Sequence, residues 1–252
     1  MITKRFIGKN LIELKSIDST NNYLSNFANK SKLLNGTVIL AHNQTKGKGQ
    51  RGNNWESEEG KNLTFSVFLK TSCLSVDKNF LLSIAVCNAI HAIVSKRITN
   101  TKIKWPNDIL VGNKKICGIL IENSIIGDKL GNSIIGIGLN LNQEIFEDNS
   151  IATSLKLETN TDHSKSEILN QILASLEEQI GLIQLNKIEQ LKKYYFDNLL
   201  GYKNDLQYIN IKSNEKFTGK IIDVKNNGLV ELETQHQENL LFEVKGVKLL
   251  ME

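Results

Sequence analysis

Apolar and polar positions recur along this chain with two different periods, and the switches between them mark out its elements. Residues 11–14, 37–41, 63–69 and 133–141 read as strands, rich in β-branched and other apolar residues. Asp18-Ser19-Thr20-Asn21 offers side-chain oxygens for a helix start, and Tyr23, Leu24, Phe27 and Ala28 follow on one helical face. Residues 80–94 predict a long, strongly apolar helix. Ile103, residues 109–111 and residues 116–121 read as strands around tight turns, with Gly112-Asn113 the hairpin signal. Residues 168–180 and 188–199 read as amphipathic helices.

Past Gly201 the helical period disappears. Residues 216–224, 228–233 and 239–244 read as short strands, and Asn226-Asn227-Gly228 is a turn. The pattern predicts an α+β domain over residues 1–200 followed by a small all-β module over 201–252.

Composition adds bounds. With 252 residues, 40% hydrophobic and 23% charged, the chain has room for a large core and a small second domain. A formal charge of +4 suits a phosphorylated or acidic ligand without marking a nucleic-acid binder. Cys73, Cys87 and Cys117 have neither redox-pair nor metal-knuckle spacing, and Cys87 and Cys117 fall in apolar segments as core residues, which fits a reducing cytoplasm. The four histidines show no metal or triad spacing. No leading apolar run suggests a signal peptide, and no stretch of 18 uninterrupted apolar residues suggests a membrane span.

Five segments carry candidate chemistry, and each has a plain structural alternative. Gln44 to Trp55 contains Gly47, Gly49 and Gly52 with Lys46, Lys48 and Arg51; its amides and cations suit phosphate oxygens, but the spacing is neither a P-loop nor a dinucleotide fingerprint, and a mobile surface loop has the same composition. Lys104-Trp105-Pro106-Asn107-Asp108 holds the only proline; Lys104 suits a phosphate and Asp108 a cation or an amine, against a stiff strand-ending turn. In the 114–122 segment Lys115 stands at the mouth of an apolar strand and Gly118 lets a flat ligand approach the backbone, with Leu120 beyond; the alternative is a core strand with a snorkelling lysine. Gly136, Gly138 and Asn140 mark close approach to a strand, or a bulge. Ser19, Thr20 and Asn21 suit a polar ring, or only a helix cap. Trp55 suits stacking on a ligand ring.

Taken together and in this order, from Ser19 to Asn140, these segments resemble the biotin–protein ligases, also called biotin–acetyl-CoA-carboxylase ligases. The resemblance implies a mixed-sheet catalytic domain of the class II aminoacyl-tRNA-synthetase-like, biotin/lipoate ligase type, followed by an SH3-like β-barrel. It implies that biotin and ATP, with Mg²⁺, give biotinyl-5′-AMP and pyrophosphate, and that a lysine of a biotin carboxyl carrier domain then takes the biotinyl group. By the same resemblance, Ser19, Thr20, Gln44, Gly118 and Leu120 belong to the biotin site, and Asn21 stands with them among the cofactor-binding residues. Gly47, Lys48, Gly49, Arg51 and Gly52 form the loop over the adenylate, with Trp55 beside the nucleotide. Lys115 contacts the carboxylate and then the phosphate, Asp108 stands near the acceptor amine, Asn140 is associated with ATP and Mg²⁺, and Lys104, Asn107, Gly136 and Gly138 complete the set of cofactor-binding residues.

The usual loop arginines are replaced by Lys48, Gln50 and Asn53, so weaker nucleotide retention, or compensation by Lys46, is expected. The enzyme-like motifs begin near the start of the chain, as in relatives without a DNA-binding domain. Neither a nucleic-acid partner nor a membrane is expected, and either a monomer or a homodimer fits. Lipoate–protein ligase is the main rival; the Lys-Trp-Pro-Asn-Asp segment and the full basic loop favour biotin.

Overall fold

The computed structural model describes residues 6–30, 32–146 and 151–251. Seven strands build the main sheet: β1 Leu11–Ile17, β2 Val38–Gln44, β3 Leu63–Lys70, β4 Thr101–Lys104, β5 Asp108–Val111, β6 Lys114–Ile126 and β7 Lys129–Leu139. Their order is β1-β2-β3-β7-β6-β5-β4. Only β1 and β2 are parallel, as a crossover through helix α1 (Thr20–Lys30) requires, so the sheet is mixed.

The two faces of this sheet have different jobs. Side chains alternate along a strand, so β7 sends Ile135, Ile137 and Leu139 into the main core beside Phe65 and Val67 of β3 and Cys117 and Ile119 of β6. Helices α2 (Phe80–Val94), α4 (Lys165–Gln184) and α5 (Ile188–Asn198) contribute to this core; α3 (Leu155–Thr159) is one short turn. A helix buried on all sides must be apolar all round, and α2 is buried from Phe80 to Val94 at all but two positions. The Val76–Val94 stretch is long and apolar enough to cross a membrane by length and composition; here most of it is packed inside the protein. Burial pushes the thiols of Cys87 and Cys117 upward, so both are inert core groups. α4 begins where Ser164 Oγ accepts the Glu167 amide.

The opposite face is only half covered. Ile39, Phe68 and Ile134 pack under Leu24 of α1. Farther along the same face come Gly136 and Gly138 of β7 and Gly118 of β6, and it is there that the crevice described below opens.

A second, antiparallel sheet comprises β8 Leu206–Asn210, β9 Lys216–Val224, β10 Val230–Thr234, β11 Asn239–Phe242 and β12 Val247–Leu249, in the order β11-β10-β9-β8-β12. Tyr208, Phe217 and Phe242 stack within it at centroid spacings of 5.8 and 6.0 Å. The sheets are tied where the Leu200 amide donates to Ile103 O (2.8 Å) and Trp105 Nε1 to Gly228 O (3.1 Å). The Trp105–Pro106 peptide is cis.

Most expected elements are present, with differences at their ends. β6 and β7 extend to Ile126 and from Lys129 as an exposed hairpin, because backbone pairing continues where the apolar pattern has stopped. β8 and β12 were not anticipated: they are short, β12 pairs with β8 and β8 with β9, and neither shows a long apolar run.

Candidate active site

Register places the chemistry. Lys104 pairs with Asp108, Asp108 with Gly118, Gly118 with Gly138, and Gly138 with Thr64. Directly opposed residues share a face, so four segments far apart in sequence form one row across the half-covered face. One pair farther on, Ser66, Gly136 and Leu120 form a second row.

Lys115 joins this face because of a bulge. In a regular strand, residues 115 and 118 would point to opposite sides. The β5–β6 register shifts by one between Ile109 and Leu110, and Lys115 is turned to the Gly118 side. Its Nζ reaches Asp108 Oδ1 at 2.7 Å and lies 5.5 Å from the Trp55 ring centroid. The Lys115 backbone is held by Ile151 O (2.7 Å) and the Thr153 amide (3.0 Å).

The segment from Gly47 to Trp55 folds back on itself: the Trp55 amide donates to Gly47 O at 2.9 Å and the Gly49 amide to Asn53 O at 2.7 Å. Its indole then lies on the glycine pair. A β-carbon at Gly118 would stand 2.8 Å from Trp55 Cζ3, and one at Gly138 would stand 2.7 Å from Cζ2. Only glycine permits this approach on either strand. Trp55 Nε1 is buried with no hydrogen-bond partner.

At the N-terminus of α1, the Thr20 amide and hydroxyl reach Gln44 Oε1 at 2.8 and 3.0 Å. Ser66 Oγ lies 2.7 Å from Thr20 Oγ1 and 2.6 Å from Asn21 Oδ1. Asn21 Nδ2 donates to Glu122 Oε2 at 2.7 Å. Gly136 faces Asn21 at a distance no side chain would allow.

One crevice of about 50 Å³ collects Ser19, Thr20, Asn21, Gln44, Lys48, Gly49, Trp55, Asn107, Lys115, Gly118, Leu120, Gly136 and Gly138 from the expected set. Gln50, Ile119 and Ile137 also line it. The volume is far below the several hundred Å³ of a typical small-molecule pocket, because the Trp55 indole occupies the face. A second cavity of about 370 Å³ separates this region from the small sheet; Lys104 and Asp108 line it with apolar residues of that sheet, and Gln50 borders both spaces. Burial depresses the Lys104 ammonium pKa, opposed by Asp108.

Some expected residues stand apart. Lys104 and Asp108 line the second cavity rather than the crevice, although Asp108 reaches the crevice-lining Lys115, and Gly47 and Gly52 shape the loop without lining the crevice. Asn140 does not line the crevice: Nδ2 donates to Thr153 O at 3.0 Å, while Oδ1 is buried and unpartnered. Lys48 Nζ is committed to Asn22 Oδ1. The side chain of Arg51 lies outside the described residues. Ser66 and Glu122 were not anticipated. The available signal was Thr64 and Ser66, two hydroxyls at alternate positions of a strand that is otherwise apolar up to Lys70.

Among the described residues no group of three histidine, cysteine or acidic side chains could hold a metal ion. The arrangement can bind a compact polar ring at Thr20, Asn21 and Gln44, and an anion at Lys115, under an aromatic cover.

Comparison with known proteins agrees. Residues 13–140 match the Biotin/lipoate A/B protein ligase family. The bifunctional ligase/repressor BirA of Bacillus spizizenii is 30% identical over 233 residues, spanning 91% of this chain and 71% of that protein. The biotin–[acetyl-CoA-carboxylase] ligase of Mycobacterium tuberculosis is 29% identical over 151 residues, 58% of this chain and 55% of that protein. The biotin protein ligase of Aquifex aeolicus, solved with biotin and ATP, superposes with a TM-score of 0.79 at 28% identity, covering 97% of this chain and 100% of that one.

Proposed function

The chain belongs to the Biotin/lipoate A/B protein ligase family, and from that premise we propose that it activates biotin with ATP as biotinyl-5′-AMP and transfers the biotinyl group to a lysine of a carrier protein. The observation that carries this reading is the convergence of Lys115, Asp108, Trp55 and the Thr20–Gln44 polar wall on one glycine-paved face.

In the first step a biotin carboxylate oxygen attacks the α-phosphorus of ATP and pyrophosphate leaves. Two anions must meet, and a fixed cation lowers that barrier most where water is excluded. Lys115 is that cation, and the 2.7 Å contact with Asp108 fixes its direction. Gly118 and Gly138 let the ligand lie against the backbone once the indole gives way. Gln44 to Trp55 then closes over the mixed anhydride and shields it from hydrolysis. In the second step the carrier lysine attacks the acyl carbon and AMP departs; Asp108, at the junction of crevice and cavity, receives the amine. Lys104 and the basic loop hold the phosphates.

A Mg²⁺ ion accompanying ATP would supply charge neutralisation at the phosphates. Asn140, whose buried Oδ1 is an unpartnered hard donor, and the Asp108 carboxylate are the residues that would hold it. The division at residues 200/201 into a catalytic part and an SH3-like part is supported by the two separate sheets. The partner is a biotin carboxyl carrier domain of the acetyl-CoA carboxylase type. A cytoplasmic enzyme, monomeric or side-by-side dimeric, without nucleic-acid or membrane partners, suits this chemistry.

The test is incubation with ATP, Mg²⁺, an apo carrier domain and either biotin or lipoate. A mass increase of one biotinyl group on a single carrier lysine, with no lipoyl product, is expected. Lipoylation alone would move the assignment to the other branch of the family.

A further inference from the structure

The polar wall of the crevice has fewer protons than its contacts need. Gln44 Oε1 is fixed as an acceptor, because the Thr20 backbone N–H points at it from 2.8 Å. Asn21 Oδ1 is fixed as an acceptor at the other end, because Nδ2 of the same amide donates to the Glu122 carboxylate at 2.7 Å. Between them stand two hydroxyls. The row runs Gln44 Oε1, Thr20 Oγ1, Ser66 Oγ, Asn21 Oδ1, with spacings of 3.0, 2.7 and 2.6 Å. Three oxygen–oxygen contacts share two protons, so in every arrangement one contact sets lone pair against lone pair.

We propose that Ser66 and Glu122 are positioning residues that fix this wall as acceptor-rich, and so select a substrate ring carrying N–H donors. Glu122 holds the Asn21 amide with its oxygen inward. Ser66, fully buried in β3, anchors that oxygen and the Thr20 hydroxyl to the sheet. Thr20, Asn21 and Gln44 face the crevice, and Gly136 leaves room beside Asn21. The inference rests on the reading of biotin as substrate: its cyclic urea brings two N–H donors, whereas the dithiolane ring of lipoate brings none. An added donor relieves the surplus of lone pairs; an added acceptor worsens it.

The test is steady-state kinetics and biotin binding by the full chain and its variants. Ser66→Ala is expected to weaken biotin on the order of tenfold, with the KM for ATP and kcat at saturating biotin within about twofold of the unaltered chain. Desthiobiotin, which keeps the cyclic urea and lacks the thioether, should weaken by the same factor. Ser66→Thr should recover most of the affinity. Glu122 is exposed, so its variants decide the matter even if Ser66→Ala folds poorly. Glu122→Ala should weaken biotin and desthiobiotin alike, while Glu122→Gln, which still offers an acceptor to Asn21, should not. Biotin affinity unchanged in both Ser66→Ala and Glu122→Ala, or equal losses for biotin and ATP, would overturn the proposal. Failure of the unaltered chain to bind biotin would instead strike the parent reading, and this inference with it.

Discussion

Trp55 lies flat against Gly138: a β-carbon at that glycine would stand 2.7 Å from the indole Cζ2 and 2.6 Å from Nε1. Because Gly118 is the cross-strand partner of Gly138, the ring rests on two adjacent strands at once. Overpacking a well-fitted contact costs about 1–3 kcal/mol. By the same geometry, Gly138→Ala places a methyl on the surface the ligand must occupy once the indole has moved, and should lower affinity for the adenylate roughly tenfold to a hundredfold. Calorimetry on Gly138→Ala, Trp55→Ala and the double variant checks this. Because that methyl would meet the ligand itself, the glycine change should cost affinity in the Trp55→Ala background too, and a loss that vanishes once the indole is gone would place the ligand off this strand.

Lys115 is held by Asp108 rather than by the core, so its removal should cost catalysis and little stability. Lys115→Ala should reduce the rate of adenylate formation by about 10²- to 10³-fold, the range for loss of one preorganised charge-stabilising group. Lys115→Arg should keep part of the rate. Single-turnover pyrophosphate release measures both, with thermal melting as the control for folding.

Much of this site was readable from the sequence because local words carry it: the glycine-rich basic loop, Lys104 to Asp108, Lys115 to Gly118, and Gly136 to Asn140. Their assembly into rows was not readable, since it depends on strand order and on a bulge that turns Lys115 by one position. Ser66 was hidden for a similar reason. Its strand is buried on both faces, so the alternation that normally separates core from site is blurred. In the small sheet, β12 is three residues long and pairs with β8 across intervening strands, a relationship no local pattern encodes.

His91 should give stability a pH slope. Its ring is buried, with Nε2 3.1 Å from Thr101 O and Nδ1 2.9 Å from Tyr194 Oη, which suits the neutral tautomer protonated on Nε2. Burial lowers its pKa below the ordinary 6.5. The unfolded chain therefore takes up a proton near pH 6.5 that the folded chain still refuses, and stability falls as pH drops through that value. His163, also lowered chiefly by desolvation, acts with the same sign. Denaturant titrations at pH 7.5 and 5.5 should show the loss, and His91→Gln should be less stable at pH 7.5 but flatter between the two.

Trp105 links the sheets through Nε1 to Gly228 O. Trp105→Phe removes that donor and should weaken the attachment of residues 206–249 by about 1 kcal/mol. Amide exchange in the small sheet should quicken accordingly, while exchange in α2 stays slow.

Biotin-dependent exchange of labelled pyrophosphate into ATP, run with Mg²⁺ and no carrier protein, isolates the first chemical step from everything that follows. The unaltered chain should exchange label only when biotin is present and should retain biotinyl-5′-AMP after gel filtration, and Lys115→Ala should do neither at a comparable rate. Exchange that is independent of biotin, or a Lys115→Ala chain that exchanges as fast as its parent, would contradict a single crevice in which this lysine joins the two anions.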